Sequence, residues 1–110
     1  MAWSVVMAWH LDLHGPDSAY SGLGVSFSRL EILRIVLART EVSSSTVMAE
    51  MGMTRNGVTR HLEALRNAGL ISERRTTHPR GSGPITYWRA DRGDVWDAVD
   101  ELGQYLLGPR

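Results

Sequence analysis

The chain has 110 residues and a formal net charge of zero, and its length leaves room for one domain. It contains no cysteine, which excludes disulfide bonds, thiolate metal sites and thiol redox sensing. Because no run of about 18 apolar residues is present and the start of the chain lacks a basic n-region, we expect a cytoplasmic protein without a membrane span.

The first segment, residues 1–14, is compatible with two kinds of element. Apolar and polar residues alternate along it, which favours a strand, but Trp3, Met7 and Leu11 also fall on one face of a helix. We predict a strand and keep the helix as the alternative. Its tryptophans indicate that the segment packs against the domain or against a second subunit. A Gly-Pro-Asp break and a turn-rich linker follow.

A helix is predicted next, with its N-cap at Ser28 and its end at about Arg39. Ser28 and Glu31 have the spacing of a capping box, and Phe27 and Ile32 have that of a hydrophobic staple. Apolar residues cover more than half of the helix circumference, which is typical of a central scaffold helix.

The following stretch predicts two helices joined by a tight corner. The serines at 43–45 offer an N-cap to the first helix, and Gly52 ends it. Thr54 caps the second helix and Gly69 closes it. Three residues of the second helix fall at i, i+4 and i+7 and are predicted to face inward together: Val58, Leu62 and Leu65.

The opposite side of that second helix is polar. Its residues can donate or accept hydrogen bonds at a base edge or a phosphate: Thr54, Arg55, Asn56, Thr59, Arg60 and, toward the backbone or a phosphate, His61. The stretch from Thr54 to Arg92 also carries eight arginines against three acidic residues, a surplus of five positive charges. This layout predicts a helix-turn-helix whose second helix reads DNA.

Two motifs carry a family resemblance: VTRHL at Val58–Leu62 and LRNAGLI at Leu65–Ile71. They resemble the winged helix-turn-helix of ArsR-type and related bacterial regulators, and the resemblance extends from Phe27 to about Leu107. It implies a mainly α fold with a small β-hairpin, an α+β winged helix-turn-helix with a terminal dimerisation helix. We divide the chain into an N-terminal element and linker at 1–26, a DNA-binding domain at 27–91 and a dimerisation helix at 92–110.

From Leu70 to Asp91 the polar pattern changes to a period of two. This predicts two strands around a Gly/Pro-rich tip at Thr77–Pro84. In the family such a hairpin is the wing, which lies along the DNA backbone or enters the minor groove. A surface hairpin can simply be solvated, but four groups that can carry positive charge favour contact with DNA: Arg74, Arg75, His78 and Arg80.

The last helix is predicted to begin at Asp94, its N-cap, and to end near Leu107. Its apolar stripe is wider than a winged helix requires, so we assign it to a dimer interface. The alternative is that it covers the core of its own subunit. The predicted interface residues are Val95, Trp96, Val99, Leu102 and Leu106.

Metal sensing is raised by the resemblance, but the residues give it little support. ArsR-type regulators often bind metal through cysteines near the helix-turn-helix or through Asp and His pairs on the terminal helix, and this sequence has neither. His10 and His14 form an H-x3-H pair without a third ligand of clear position, so we predict no metal and no cofactor. We also predict no enzymatic activity, because no nucleophile has a base at a recognisable spacing.

Two functions remain. The first is a homodimeric repressor that reads a pseudo-palindromic site on double-stranded DNA through two helices in successive major grooves. The second is a winged helix that contacts protein in a larger assembly, such as a recombination complex. The exposed Arg and Asn of the reading helix favour the first, because a protein-binding surface would more readily carry apolar residues. No effector is indicated.

Overall fold

The computed structural model describes residues 23–77, 81 and 83–109. The predicted N-terminal strand, the pair formed by His10 and His14, and the wing residues His78 and Arg80 lie outside these ranges. The chain divides into two compact units, 1–31 and 32–110, and the boundary falls inside the first helix described below.

Helix α1 spans Phe27–Leu37. The predicted capping box at Ser28 and Glu31 is wrong, because the helix begins before Ser28 and contains both residues. The cap is Ser26, whose Oγ accepts a hydrogen bond from the backbone N–H of Arg29 at 3.3 Å. The sequence offers hydroxyl groups at 26 and at 28, and only the earlier one precedes the first helical turn.

The predicted helix-turn-helix is formed by α2, Ser44–Met51, and α3, Arg55–Asn67. Both predicted N-caps are confirmed, since Ser43 Oγ and Thr54 Oγ1 each accept a hydrogen bond, at 3.2 Å, from a backbone N–H three residues further on. Gly52 ends α2 at a φ of +63°, a left-handed conformation that glycine adopts without steric cost.

The end of α3 is also as predicted. Gly69 has a φ of +78° and follows the last turn of the helix. Its N–H donates to the carbonyl of Arg66 at 2.9 Å, and the N–H of Leu70 donates to the carbonyl of Leu65 at 3.0 Å. These two bonds form a Schellman motif, which satisfies carbonyls at the helix end and turns the chain toward the sheet.

A three-stranded antiparallel sheet follows the order β1-β3-β2, with β1 at Val42–Ser43, β2 at Ser72–Thr77 and β3 at Pro84–Arg89. Strands β2 and β3 form the predicted wing hairpin. Its ladder reaches the pair Thr77–Pro84, which the sequence analysis had placed in the tip. Strand β1 was not predicted, because two residues are too few to show an alternating pattern.

The core lies within the unit 32–110 and draws residues from α1, α2, α3 and the sheet. It confirms the predicted inward face of α3 and adds Trp88 of β3, which the sequence analysis did not assign. The buried apolar residues are Ile32, Leu33, Val36, Val42, Val47, Val58, Leu62, Leu65, Ile71 and Trp88.

Helix α4 spans Arg92–Leu107, and its end agrees with the prediction. Its N-cap is Asp91 rather than Asp94, because Asp91 is the extended residue immediately before the helix and its Oδ1 accepts from the N–H of Gly93 at 2.6 Å. Asp94 lies in the first turn, where a negative charge favours the helix dipole. None of the helices in the described ranges is long and apolar enough to cross a membrane.

The four helices and the small sheet of the described residues give the α+β winged helix-turn-helix fold that the sequence predicted.

Candidate nucleic-acid interface

Helix α3 is fixed from one side only. Val58 and Leu62 are fully buried and Leu65 is nearly so, which anchors the helix to the core along its whole length. The opposite side carries the residues predicted to read DNA. Asn56 and Arg60 are exposed there, and Arg55 is exposed at the first position of the helix. An amphipathic helix held in this way presents its polar face at a fixed position on the surface.

The positive charges of Arg55 and Arg60 are not compensated by a carboxylate of the described residues, so they are available to bind DNA. Within the described part of the chain, neither Arg55 nor Arg60 forms an ion pair. The third arginine of α3 differs, because Arg66 forms an ion pair with Glu73 of β2 at 2.5 Å. The structure therefore separates an arginine that joins α3 to the wing from two arginines that can approach phosphates or guanine edges.

The remaining predicted residues of α3 occupy different places. Thr54 is exposed, and its Oγ1 accepts the capping bond with one lone pair, so toward DNA its hydroxyl can still donate one hydrogen bond and accept another. Thr59 is half-buried beside the arginines. His61 is half-buried as well and lies between the polar face and the core side.

Glu63 belongs to the same surface, although the sequence analysis left it out of the site. It is exposed and follows Thr59 by four residues and Arg60 by three, which are the spacings of neighbours on a helix surface. No ion pair joins it to another described residue. The helical spacing alone could have placed Glu63 on this face. A carboxylate there can accept a hydrogen bond from a cytosine amine and repels phosphates.

Arg74 of the wing is held by a partner. Its Nε and Nη2 donate to the two carboxylate oxygens of Glu41 at 2.9 and 2.7 Å. Its guanidinium carbon lies 5.0 Å from the centroid of the Tyr87 ring. The hydrogen bonds from Arg74 lower the pKa of Glu41, and the same pairing raises the pKa of Arg74. The charge of this predicted DNA contact is therefore largely compensated within the protein.

Arg75 is in the opposite situation. Its side chain is 73% exposed, and its Nε lies 4.0 Å from Glu73, which is too long for a hydrogen bond. Adjacent residues of a strand point to opposite faces of the sheet, so Arg75 leaves the sheet on the side away from the Arg74 pair. Of the two adjacent arginines of β2, Arg75 is therefore the one whose charge is available to DNA.

Helix α4 carries a large exposed apolar stripe. No residue of this helix is fully buried, and only Val95 of the predicted interface residues is partly buried against the core. The others are exposed by 47% to 68%: Trp96, Val99, Leu102 and Leu106. A shallow groove of about 200 Å³ lies between Leu37 and the start of this stripe.

No group of three or more His, Cys, Asp or Glu residues that could hold a metal ion occurs among the described residues.

The comparisons with known proteins agree with this fold. A model of the helix-turn-helix domain matches residues 28–74, which run from α1 to the middle of β2. A protein of Bacillus subtilis (strain 168), described as the uncharacterized HTH-type transcriptional regulator YdgJ, is 38% identical over 52 residues. That match covers 47% of this chain and 32% of the relative, so the chain spans about a third of its length.

Solved structures are similar across most of the chain. The multiple antibiotic resistance repressor MarR matches with a TM-score of 0.59 and 16% identity over 98% of this chain and 75% of its own. A possible transcriptional regulator from Methanosarcina mazei Go1 matches with a TM-score of 0.56 and 15% identity, covering 83% and 84%. At such identities the likeness shows the winged-helix fold, and the ArsR-type resemblance stays a prediction.

Proposed function

We propose that the chain is a sequence-specific, double-stranded DNA-binding transcriptional regulator that acts as a homodimeric repressor. The observation that carries this proposal is the outer face of α3. Arg55 and Arg60 are exposed and free of ion pairs with described residues, on a helix that the core holds in place. The match to the helix-turn-helix domain and the regulator names of the similar proteins support the same function.

In this function α3 enters the major groove. Arg55 and Arg60 contact guanine edges or nearby phosphates, and Asn56 and Thr59 hydrogen-bond to base edges. The wing adds contacts that depend on charge rather than on sequence. Arg75 provides one such contact, and His78 and Arg80 are proposed for the same role from the sequence.

Dimerisation gives the mechanism its two-fold symmetry. Val99, Leu102 and Leu106 recur at helical spacing on α4 and leave an apolar stripe in water, which a second copy of the helix would cover. Two α3 helices about 34 Å apart would then read a pseudo-palindromic site. A repressor of this kind acts by occupying a promoter.

Selection of bound duplexes from a random pool tests the proposal. An inverted repeat is expected, and gel-shift titration should then show tighter binding to it than to a scrambled duplex. Arg60→Ala should weaken binding to the selected site more than to the scrambled one, whereas Arg75→Ala should weaken both about equally. Absence of binding to any duplex, together with a co-purifying protein, would favour the winged helix as a protein-contact module.

A further inference from the structure

We propose that Arg74 is a positioning residue that sets the angle between the wing and the helix-turn-helix, and that it does not contact DNA itself. This inference rests on the proposed DNA-binding function. It assigns different roles to the two adjacent arginines of β2 on the basis of what each side chain touches.

The side chain of Arg74 spans the width of the sheet. β1 and β2 are the two outer strands, and β3 lies between them. Tyr87 of β3 stands opposite Arg74 on one side and opposite Ser43 of β1 on the other. Arg74 passes over the Tyr87 ring and ends in a two-point pair with Glu41, the residue before β1.

The side chain of Arg74 and its pair with Glu41 form a strap across the sheet. This strap connects the wing to the helix-turn-helix, the two parts that contact DNA in the proposed function. On one side, β2 and β3 carry the wing. On the other side, β1 leads directly into α2, because Ser43 is both the last residue of β1 and the N-cap of α2. A bidentate Arg–carboxylate pair has a fixed planar geometry, so it limits how far the hairpin can twist relative to β1. The strap therefore fixes where the wing lies when α3 occupies a groove.

The existing contacts of the Arg74 guanidinium also favour a positioning role over a DNA contact. To bind a phosphate, Arg74 would have to leave both oxygens of Glu41 and the face of Tyr87. Arg75 has no such bond to break, since its nearest carboxylate oxygen is 4.0 Å away. A phosphate would therefore be bound by Arg75 at lower cost.

Replacing Glu41 distinguishes a phosphate-binding role of Arg74 from a positioning role, because the two roles predict opposite changes in the affinity for DNA. Glu41→Gln removes a negative charge near DNA. If Arg74 were a phosphate contact held back by Glu41, this variant would bind duplex more tightly. If the pair positions the wing, the same variant should bind about twofold to fivefold more weakly, in line with the coupling energies of exposed ion pairs.

Glu50→Gln is the matched control, because Glu50 forms an ion pair with Arg39 and the substitution removes the same charge away from the sheet. It should leave the affinity at or slightly above that of the unmodified protein. A thermal melt of each variant verifies that the fold is retained, which is expected because the lost pair is exposed.

Salt titration provides a second readout. The slope of log affinity against log salt should decrease by about 0.9 in Arg75→Gln and stay unchanged in Arg74→Gln. The exchanged pair, Glu41→Arg with Arg74→Glu, should restore most of the affinity lost in Glu41→Gln, because the strap is rebuilt with reversed polarity. Tighter binding by Glu41→Gln, or a lower slope in Arg74→Gln, would overturn the inference. Failure of the unmodified protein to bind any duplex would instead refute the proposed function.

Discussion

Trp88 donates a hydrogen bond from its indole Nε1 to Oγ of Ser44 at 2.8 Å. Trp88 lies on the middle strand β3 and is 4% exposed, and Ser44 is the first residue of α2. The bond joins the sheet to the helix-turn-helix inside the core, whereas the pair of Glu41 and Arg74 joins them on the surface. The wing is therefore connected to the region around the start of α2 by one contact of a buried side chain and one contact on the surface.

We expect Trp88→Phe to lower the free energy of unfolding by about 1–3 kcal/mol, because it removes the hydrogen bond and leaves unfilled volume in the core. Ser44→Ala should cost less, about 1 kcal/mol, because it removes the bond without changing the packing of the ring. Urea denaturation measures both. The double variant should lose less than the sum of the two, and strict additivity would show that the bond does not couple these residues.

Stability should depend on Glu41 in acid. Arg74 lowers the pKa of Glu41 below its ordinary value of 4.5, so the ionised carboxylate stabilises the folded state. That contribution is fully present above the unfolded pKa and is lost as the pH falls through the lowered folded pKa. The difference in unfolding free energy between the unmodified protein and Glu41→Gln should be constant near neutral pH and shrink below about pH 4.5. Urea denaturation across this pH range checks it, and a difference that grows in acid would contradict the pairing.

Much of the helix-turn-helix could be predicted from the sequence because its signals are local. The caps at Ser43 and Thr54 and the glycines at 52 and 69 act on their own backbone neighbours, and the structure has each of them at a helix end. The inward face of α3 depends only on helical spacing. Local hydrogen bonds and periodicity do not require knowledge of the rest of the chain.

The wrong predictions have two physical causes: more than one nearby residue can cap a helix, and some side-chain partners lie far apart in sequence. Ser26 and Ser28, or Asp91 and Asp94, offer equivalent capping groups, and tertiary packing decides which one precedes the first turn. Glu41, the partner of Arg74, lies 33 residues away in sequence, so no local sequence pattern could predict the pair. A charge count treated Arg74 and Arg75 alike, although only one of them has its charge compensated.

Gly57 should be less tolerant of alanine than its helical position suggests. Alanine normally stabilises a helix by about 1 kcal/mol over glycine. A Cβ at position 57 would lie 3.1 Å from Met53 Cε and 3.3 Å from Thr54 Oγ1, which accepts the capping bond. We therefore expect Gly57→Ala to yield clearly less than this gain.

Gly103→Ala in α4 is the matched control for that comparison when both variants are measured below the dimer Kd, since a Cβ there meets nothing within 4 Å of its own subunit and the full gain of about 1 kcal/mol is expected. Thermal denaturation measures both variants. Equal stabilisation would show that the neighbours of Gly57 move aside without cost.

Glu63 is expected to reduce binding to DNA in general while selecting for particular sequences. Glu63→Gln removes a charge that repels phosphates, so affinity for a scrambled duplex should increase. If the carboxylate accepts a hydrogen bond from a cytosine amine, Glu63→Ala, which removes the acceptor oxygen that glutamine would keep, should lower discrimination at one base pair by about 1–3 kcal/mol. Gel-shift titration with single-base variants of the selected site measures this. An equal increase on every duplex would mean that Glu63 touches no base.

The stripe on α4 predicts how the protein should respond to a charge placed on it. Leu102 is 47% exposed and lies between Val99 and Leu106 on the stripe. In a dimer sealed by this stripe, Leu102→Glu would place an unpaired charge in the interface, and the dimer Kd should rise at least about 100-fold. The fold of each subunit should persist, because α4 contributes no fully buried residue.

Gln104→Glu is the control for Leu102→Glu, because it adds the same charge to an exposed position on the other side of α4. It replaces the hydrogen bond from Gln104 to Asp100 with a like-charge contact on the surface of the same helix, and it should leave the dimer intact. Sedimentation across a range of concentrations measures the mass of both variants, and gel-shift titration measures their binding. Leu102→Glu should lose affinity for an inverted repeat much more than for a single half-site, since a monomer engages only one half-site at a time. If Leu102→Glu keeps the mass of a dimer, the two subunits must associate through another surface, because a stripe that carries an unpaired carboxylate could not be removed from water.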